Sequence, residues 1–471
     1  MATHNSTDGT GGMDASIRFD EEQARPEVDC ALTPLGRADE AIFFQDAGDG
    51  FSNTVAVLLP VSTRYISIAD ALAVGAILAI ENCGGPEIAF RGGRVDAVEP
   101  NLPGVPQPQQ DLDSHIASFA RQGFTQTEMI GLVACGHTFG GVQHDFFPDI
   151  VPELNDPSDT DSVAHFDTTN TQFDNKIATE YISGTTQNPL VVGFNDTTNS
   201  DKRIFGSDGN ATMQSFANSP DLFASTCADL LARMVDTVPA GVQLTDVITP
   251  LAVKPANLQL ILDGDVIQFS GQVRLWDVAA DPVVVLLWDD HIGGTSNNVT
   301  VVQDSVVTVS GGRHTAAWYN FNNNTTPALF KLDATAGITS IRFIVNGTLE
   351  DQGGVGFAVQ DDIMFATSSC FTQGNSNGDT ATFNVAVRTG VNPTRVYLEA
   401  PARDSTDRPI IVETDLAPPT QSVDPSATYA IWSVQIPLDF SLFTVGAEID
   451  GVKVTRGPPT SLLDFGHQCP I

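Results

Sequence analysis

The residues most able to do chemistry cluster between Gly84 and Gly140. There TQTEMIGLVACGHTFG (125–140) places one imidazole, His137, directly after an apolar stretch and directly before Thr138. A histidine in that position can offer a ring nitrogen to a metal, or it can sit at a helix C-terminus where the dipole favours it. Two other stretches, GTGGMDASIRF (9–19) and FDTTNTQFD (166–174), are dense in carboxyl and hydroxyl oxygens, the donors that hard cations take. The histidines at 115, 144, 165, 291, 314 and 467 show no metal-ligand spacing with one another and read as structural or exposed. Trp276, Trp288, Trp318 and Trp432 all fall in the second half and read as sheet-core or surface aromatics, not as an electron relay.

These residues need elements to position them. Up to about residue 240 the pattern is helical. SIADALAVGAILAIENC (67–83) has helical spacing and stops at Gly84-Gly85-Pro86. DLDSHIASFARQG (111–123) is amphipathic, and 125–140 opens with Thr125 or Thr127 as N-cap and Glu128 in the first turn. SPDLFASTCADLLARMVD (219–236) is a fourth helix. After Val238-Pro239 the segments become short, alternating and bounded by Gly, Asn or Asp, as in an antiparallel β-sandwich or similar all-β module. The expected organisation is a mainly α domain over 1–240 and a sandwich-like β region over 241–370. A further β-rich segment, 371–471, belongs to that region or stands beside it.

With 58 acidic and 22 basic residues among 471, the formal net charge is −36, which argues against nucleic acid and anionic membranes as partners. No apolar stretch is long enough to span a bilayer. N-glycosylation sequons stand at Asn5, Asn195, Asn210, Asn298, Asn323, Asn324 and Asn346, yet the first residues lack a signal-peptide core. Secretion is expected, from a chain whose N-terminus is incomplete. Of six cysteines, Cys370 and Cys469 flank the last β-rich segment and are the favoured pair. Cys135 is left open between a buried thiol and a bridge to Cys83 or Cys227.

The block GGPEIAFRGGRVDA (84–97), a Pro-rich loop, and then GFTQTEMIGLVACGHTFG (123–140) resembles the plant, fungal and bacterial haem peroxidase superfamily. Arg94, Asp96, Gly123, Phe124, Glu128, Met129, Leu132, His137, Thr138 and Gly140 carry the likeness, which extends over roughly residues 8–236. It implies a mainly α peroxidase fold and haem b with His137 as axial ligand. A carboxylate should accept from the other ring nitrogen, and Ser207-Asp208 in RIFGSDGNATM supplies Asp208 for that role. Arg94 and Asp96 would stabilise their loop. Secreted members also imply a proximal calcium held by Thr138, Asp167, Thr169, the Gln172 carbonyl and Asp174, and a distal one by Gly12, Asp14 and Ser16.

Two departures bear on activity. The distal helix, with its arginine and histidine that handle peroxide, would precede residue 1, so the distal calcium set is incomplete; His4 reads as a loop histidine rather than a substitute. Between Glu27 and Asp46 the chain carries Val28–Gln45, whose removal restores RPEDAGDGFSN and which therefore reads as an insertion. The implied function is a haem-dependent peroxidase that reduces hydrogen peroxide and oxidises a small organic donor, in extracellular oxidation or oxidative-stress response. The alternative is a catalytically impaired secreted or cell-wall binding protein. Cell-wall or carbohydrate contact by the β region is expected from its β character alone.

Overall fold

The structure is a computed structural model and describes residues 2–23, 54, 57–157, 159, 162–278, 281–294, 297–321, 330–372, 379–420, 426–437 and 442–470. The expected insertion Val28–Gln45 lies outside the described residues. The chain divides into two compact units. One comprises Met1–Thr249 with the short segments Ser310–Gly312 and Asp404–Pro409; the other comprises Pro250–Val309, Arg313–Arg403 and Ile410–Ile471. The change from helical to alternating pattern after Pro239 falls close to this division.

The first unit is helical. Helix α1, Ile68–Asn82, starts where Ser67 accepts from the Asp70 amide, and it stops where Gly84 takes φ 88° and the Gly85 amide turns back to the Ile80 carbonyl. Helix α2, Leu112–Arg121, is capped by Asp111. Helix α3, Gln126–Gly136, opens with a reciprocal capping box between Thr125 and Glu128. It is apolar nearly all round and accordingly buried, with Met129, Ile130, Ala134 and Cys135 among its most enclosed residues. Helices α4 (Lys176–Ser183), α5 (Pro189–Val192), α6 (Ser200–Phe205), α7 (Ala211–Asn218) and α8 (Pro220–Val235) complete the main set. Their apolar faces form one core that includes Phe173, Ile177, Phe205, Met213 and Phe223. A disulfide from Cys135 to Cys227 ties α3 to α8, which settles the question left open for Cys135, and Cys83 keeps a free thiol.

Helix α3 ends earlier than the sequence pattern suggests. The His137 amide still donates to Val133 of its own helix, but from Thr138 onward the chain bonds to the loop at 166–174. The Thr138 hydroxyl donates to the Asp174 carbonyl at 2.7 Å, and the Gly140 amide to the Asn170 carbonyl at 3.0 Å. His137 is thus the C-cap residue, with φ −88° and ψ 9°.

The second unit is β-rich. Its largest sheet has ten strands, with Val253–Asp263 and Val266–Trp276 at its centre. This sheet crosses residue 370 without interruption, because Ile363–Ala366 pairs with Thr380–Arg388. A five-stranded and a four-stranded sheet accompany it. Alternating burial along Val266–Trp276 puts Ile267, Phe269, Val273 and Leu275 into one apolar core. A second core gathers around Phe365, Phe383, Leu398 and Val445. Cys370 and Cys469 are disulfide-bonded, the pairing anticipated from their positions. Among the described residues no helix is long and apolar enough to cross a membrane.

Candidate functional site

His137 is fixed from three sides. Its backbone ends α3, its ring stacks on Phe166 with centroids 4.2 Å apart and planes 11° from parallel, and its Nδ1 lies 2.7 Å from Oδ2 of Asp201. With the carboxylate as acceptor, Nδ1 carries the ring proton and Nε2 keeps its lone pair. The Asp201 side chain is 1% exposed. Its Oδ2 also accepts from the Asn188 amide at 2.8 Å, and Asn188 in turn caps α5 by accepting from the Leu190 amide. Two donors therefore meet one carboxylate oxygen, while the other, Oδ1, is buried with no protein partner.

The acid at His137 is Asp201 and not the expected Asp208. Asp208 occupies the turn before α7, where it accepts from the Ala211 and Thr212 amides and the Thr212 hydroxyl. Those bonds satisfy orphan donors at a helix start, the ordinary task of an Asp in such a turn. Both acids follow a serine, so the dipeptide alone does not separate them. The signal that does is helical spacing: Asp201, Ile204 and Phe205 share the inward face of α6.

His137 and Asp201 open onto a cavity of about 360 Å³. Its walls are mostly apolar, from Phe119, Val133, Phe147, Ile150, Phe166 and Leu190, with Pro106 and Pro108 of the Pro-rich loop at one side. The volume and lining are those of a small-molecule or cofactor site. An imidazole with one nitrogen anchored to a buried carboxylate and the other left free, beside an apolar chamber, is a donor set that would fit haem iron. No arginine stands among the described residues that line the chamber. His115 of α2 lines it too, and this residue is 1% exposed. Burial, reinforced by nearby Arg203, pushes its pKa down.

The oxygen-rich loop lies beside this centre. The structure brings Thr138, Asp167, Thr169 and Asp174 together. Asp167 Oδ1 accepts from the Thr169 amide at 2.9 Å, Gln172 turns its amide back to the Thr169 carbonyl at 2.8 Å, and Thr138 bonds the Asp174 backbone. Oδ2 of Asp167 and Oε2 of Glu180 are both buried without partners. Burial raises the Asp167 carboxyl to about 6, and the charges of Asp174 and Glu180 add to the shift. Among the described residues no three His, Cys, Asp or Glu side chains form a metal-holding group. The Asp167–Asp174 set would therefore rely on two carboxylates plus hydroxyl and carbonyl oxygens. At the other loop, Gly12 takes φ 125°, and Asp14 and Ser16 converge on Asn101, whose amide lies 2.8 Å from Asp14 Oδ2 and 2.8 Å from Ser16 Oγ. An amide donor is thus the partner these oxygens have.

The remaining expected residues sit away from the chamber. Arg94, its side chain fully buried, donates to Asp70 at 2.9 Å, to the Val235 carbonyl at 2.7 Å and to Asp236 at 3.0 Å. Asp96 accepts from the first amides of α1, those of Ile68 and Ala69, where an anion suits the helix dipole. His4 is buried in its loop with Nδ1 at 3.2 Å from the Gly11 carbonyl.

Comparison with known proteins agrees with this architecture. A family model described as peroxidase matches residues 6–219. The N-terminal region is thus a peroxidase domain of the plant, fungal and bacterial superfamily, on a match that covers less than half of the chain. Among its relatives, a WSC domain-containing protein of Arthroderma benhamiae is 32% identical over an alignment covering all of this chain and 62% of that protein. The cytosolic L-ascorbate peroxidase 2 of Arabidopsis thaliana is 36% identical over 20% of this chain and 39% of its own length. A mitochondrial cytochrome c peroxidase of Yarrowia lipolytica is 33% identical over 20% of this chain and 29% of its own length. The chain spans less than two thirds of each of these relatives.

Proposed function

We propose that this protein is a haem-dependent peroxidase that reduces hydrogen peroxide at the expense of a small organic donor. The observation that carries the reading is the buried hydrogen bond from His137 to Asp201 at the wall of an apolar chamber. Haem b, when bound, would supply the redox chemistry that couples peroxide reduction to oxidation of the donor. The chain's own residues do the positioning. His137 would offer Nε2 to the iron; Asp201 and Asn188 hold the ring's orientation and proton; Phe166 blocks rotation; the apolar walls keep water out. Calcium at Thr138, Asp167, Thr169, the Gln172 carbonyl and Asp174 would hold the loop that begins one residue after the ligand, and the partnerless oxygen of Asp167 supports that assignment.

Two disulfides and the sequons support an oxidising, extracellular setting. The β-rich unit is read as sandwich-like from its two apolar cores, and cell-wall or carbohydrate contact is assigned to it on its β character alone.

Purified chain titrated with haemin should develop a Soret band that His137→Ala loses, and the loaded protein should oxidise a phenolic dye only when peroxide is added. Absence of the Soret band overturns the reading. Haem binding without turnover would support the second reading, a catalytically impaired binding protein, which the absence of arginine among the described chamber residues favours.

A further inference from the structure

The resemblance implies a second cation near the N-terminus, at Gly12, Asp14 and Ser16, and the structure puts a side chain there instead. Nδ2 of Asn101 lies 2.8 Å from Asp14 Oδ2, 3.1 Å from Asp14 Oδ1, 2.8 Å from Ser16 Oγ and 3.2 Å from Thr3 Oγ1. Four oxygens from three side chains thus surround one nitrogen, and Asp14 and Ser16 are both buried. An ionised carboxylate only accepts, so the group that faces both oxygens of Asp14 must be the amide NH2 and not its carbonyl. The residues do not fit calcium. That ion takes about six to eight oxygens at roughly 2.3–2.6 Å, several of them carboxylate. Here two of the four oxygens belong to a single carboxylate and two are hydroxyls. The Gly12 carbonyl is engaged by the Asp14 amide at 3.1 Å, and the buried Glu22 carboxylate accepts from the Asn101 backbone amide. An ion bonded to Asp14 and Ser16 at those distances would need the space that Nδ2 fills, so ion and amide exclude each other.

We propose that Asn101 is a built-in substitute for the second cation: its side-chain amide gathers the oxygens of Thr3, Asp14 and Ser16, and this loop holds its shape without metal. Neighbouring bonds serve the same end. The Ala97 amide donates to the Asp14 carbonyl at 2.8 Å. Arg121 donates at 2.7 Å each to the carbonyls of Ala2, His4 and Gly104. The N-terminal loop is therefore joined to the segment 97–104 entirely by hydrogen bonds. The proposal narrows the calcium reading above to one ion per chain, and the Asp167–Asp174 set enters it only through that count.

Equilibrium dialysis of chelator-stripped full chain against radioactive calcium tests this. Wild type should bind one ion, lost in Asp174→Asn and kept in Asp14→Asn. Asn101→Asp, which replaces the central donor by a second carboxylate, should raise the count by one, and adding Asp14→Asn should remove that gain. A wild-type count that falls by one in Asp14→Asn overturns the proposal, and so does an Asn101→Asp chain that gains no ion. If wild type binds no calcium, the Asp167–Asp174 reading fails, and the gain in Asn101→Asp still decides the role of Asn101. Wild-type crystals soaked in a gadolinium salt give an arm that no misfolded variant can blur. An anomalous peak beside Asp14 and Ser16 overturns the substitution; a map with Asn101 in place and no peak there supports it.

Discussion

One carboxylate oxygen of Asp201 takes two hydrogen bonds, from His137 and Asn188, in a setting closed to solvent. Replacing it by Asn removes the charge that holds the Nδ1 proton, so Asp201→Asn should weaken haem affinity or turnover by roughly 10–100-fold, the usual effect of losing such a partner. It should also raise the midpoint potential of the bound haem; a titration that leaves affinity and potential untouched would count against the pairing. Asp167 gives a pH test. Its folded carboxyl titrates at about 6 against an ordinary 3.8, so between those values the folded state retains a proton that the unfolded state has released. Stability in chelator should therefore fall by roughly 3 kcal/mol as pH rises from about 4 to above 6. Calcium should restore it at pH 7 and do little at pH 4, and Asp167→Asn should flatten both responses in a calorimetric series. At this scale the sequence named His137, Thr138 and the Asp167–Asp174 loop because they lie in contiguous motifs. It missed Asp201 because a serine-aspartate pair recurs seven residues later, and only the burial of α6 tells the two apart.

Helix α3 delivers His137, and its start is set by the Thr125–Glu128 capping box, with Arg233 of α8 paired to Glu128. Thr125→Ala should cost about 1 kcal/mol of stability with haem binding little changed, because the cap lies three turns from the ligand. A chemical-denaturation midpoint that does not move would show that packing alone sets the start of α3. The beginnings of the helices were legible, since caps are local chemistry. The end of α3 was not. Apolar spacing continues to Gly140, and the competing bonds from Thr138 and Gly140 reach a loop some thirty residues on. The Cys135–Cys227 bridge was likewise undecidable from spacing, because it depends on α3 and α8 lying side by side.

At the scale of the whole chain, the shift from helical to alternating pattern marked two regions because periodicity is a property of each segment alone. Strand partners were beyond reach: the parallel pairing of Ile363–Ala366 with Val253–Asp263 joins segments about a hundred residues apart, and nothing local encodes it. The two disulfides share a feature with a practical outcome. Cys135–Cys227 closes within the helical unit and Cys370–Cys469 within the β-rich unit, so neither staples one to the other. A single proteolytic nick in the stretch 237–249 should therefore separate the protein on a denaturing gel without reductant into two bands, each still internally cross-linked. Were such cleavage to occur in its surroundings, no disulfide would hold the helical half to the β half.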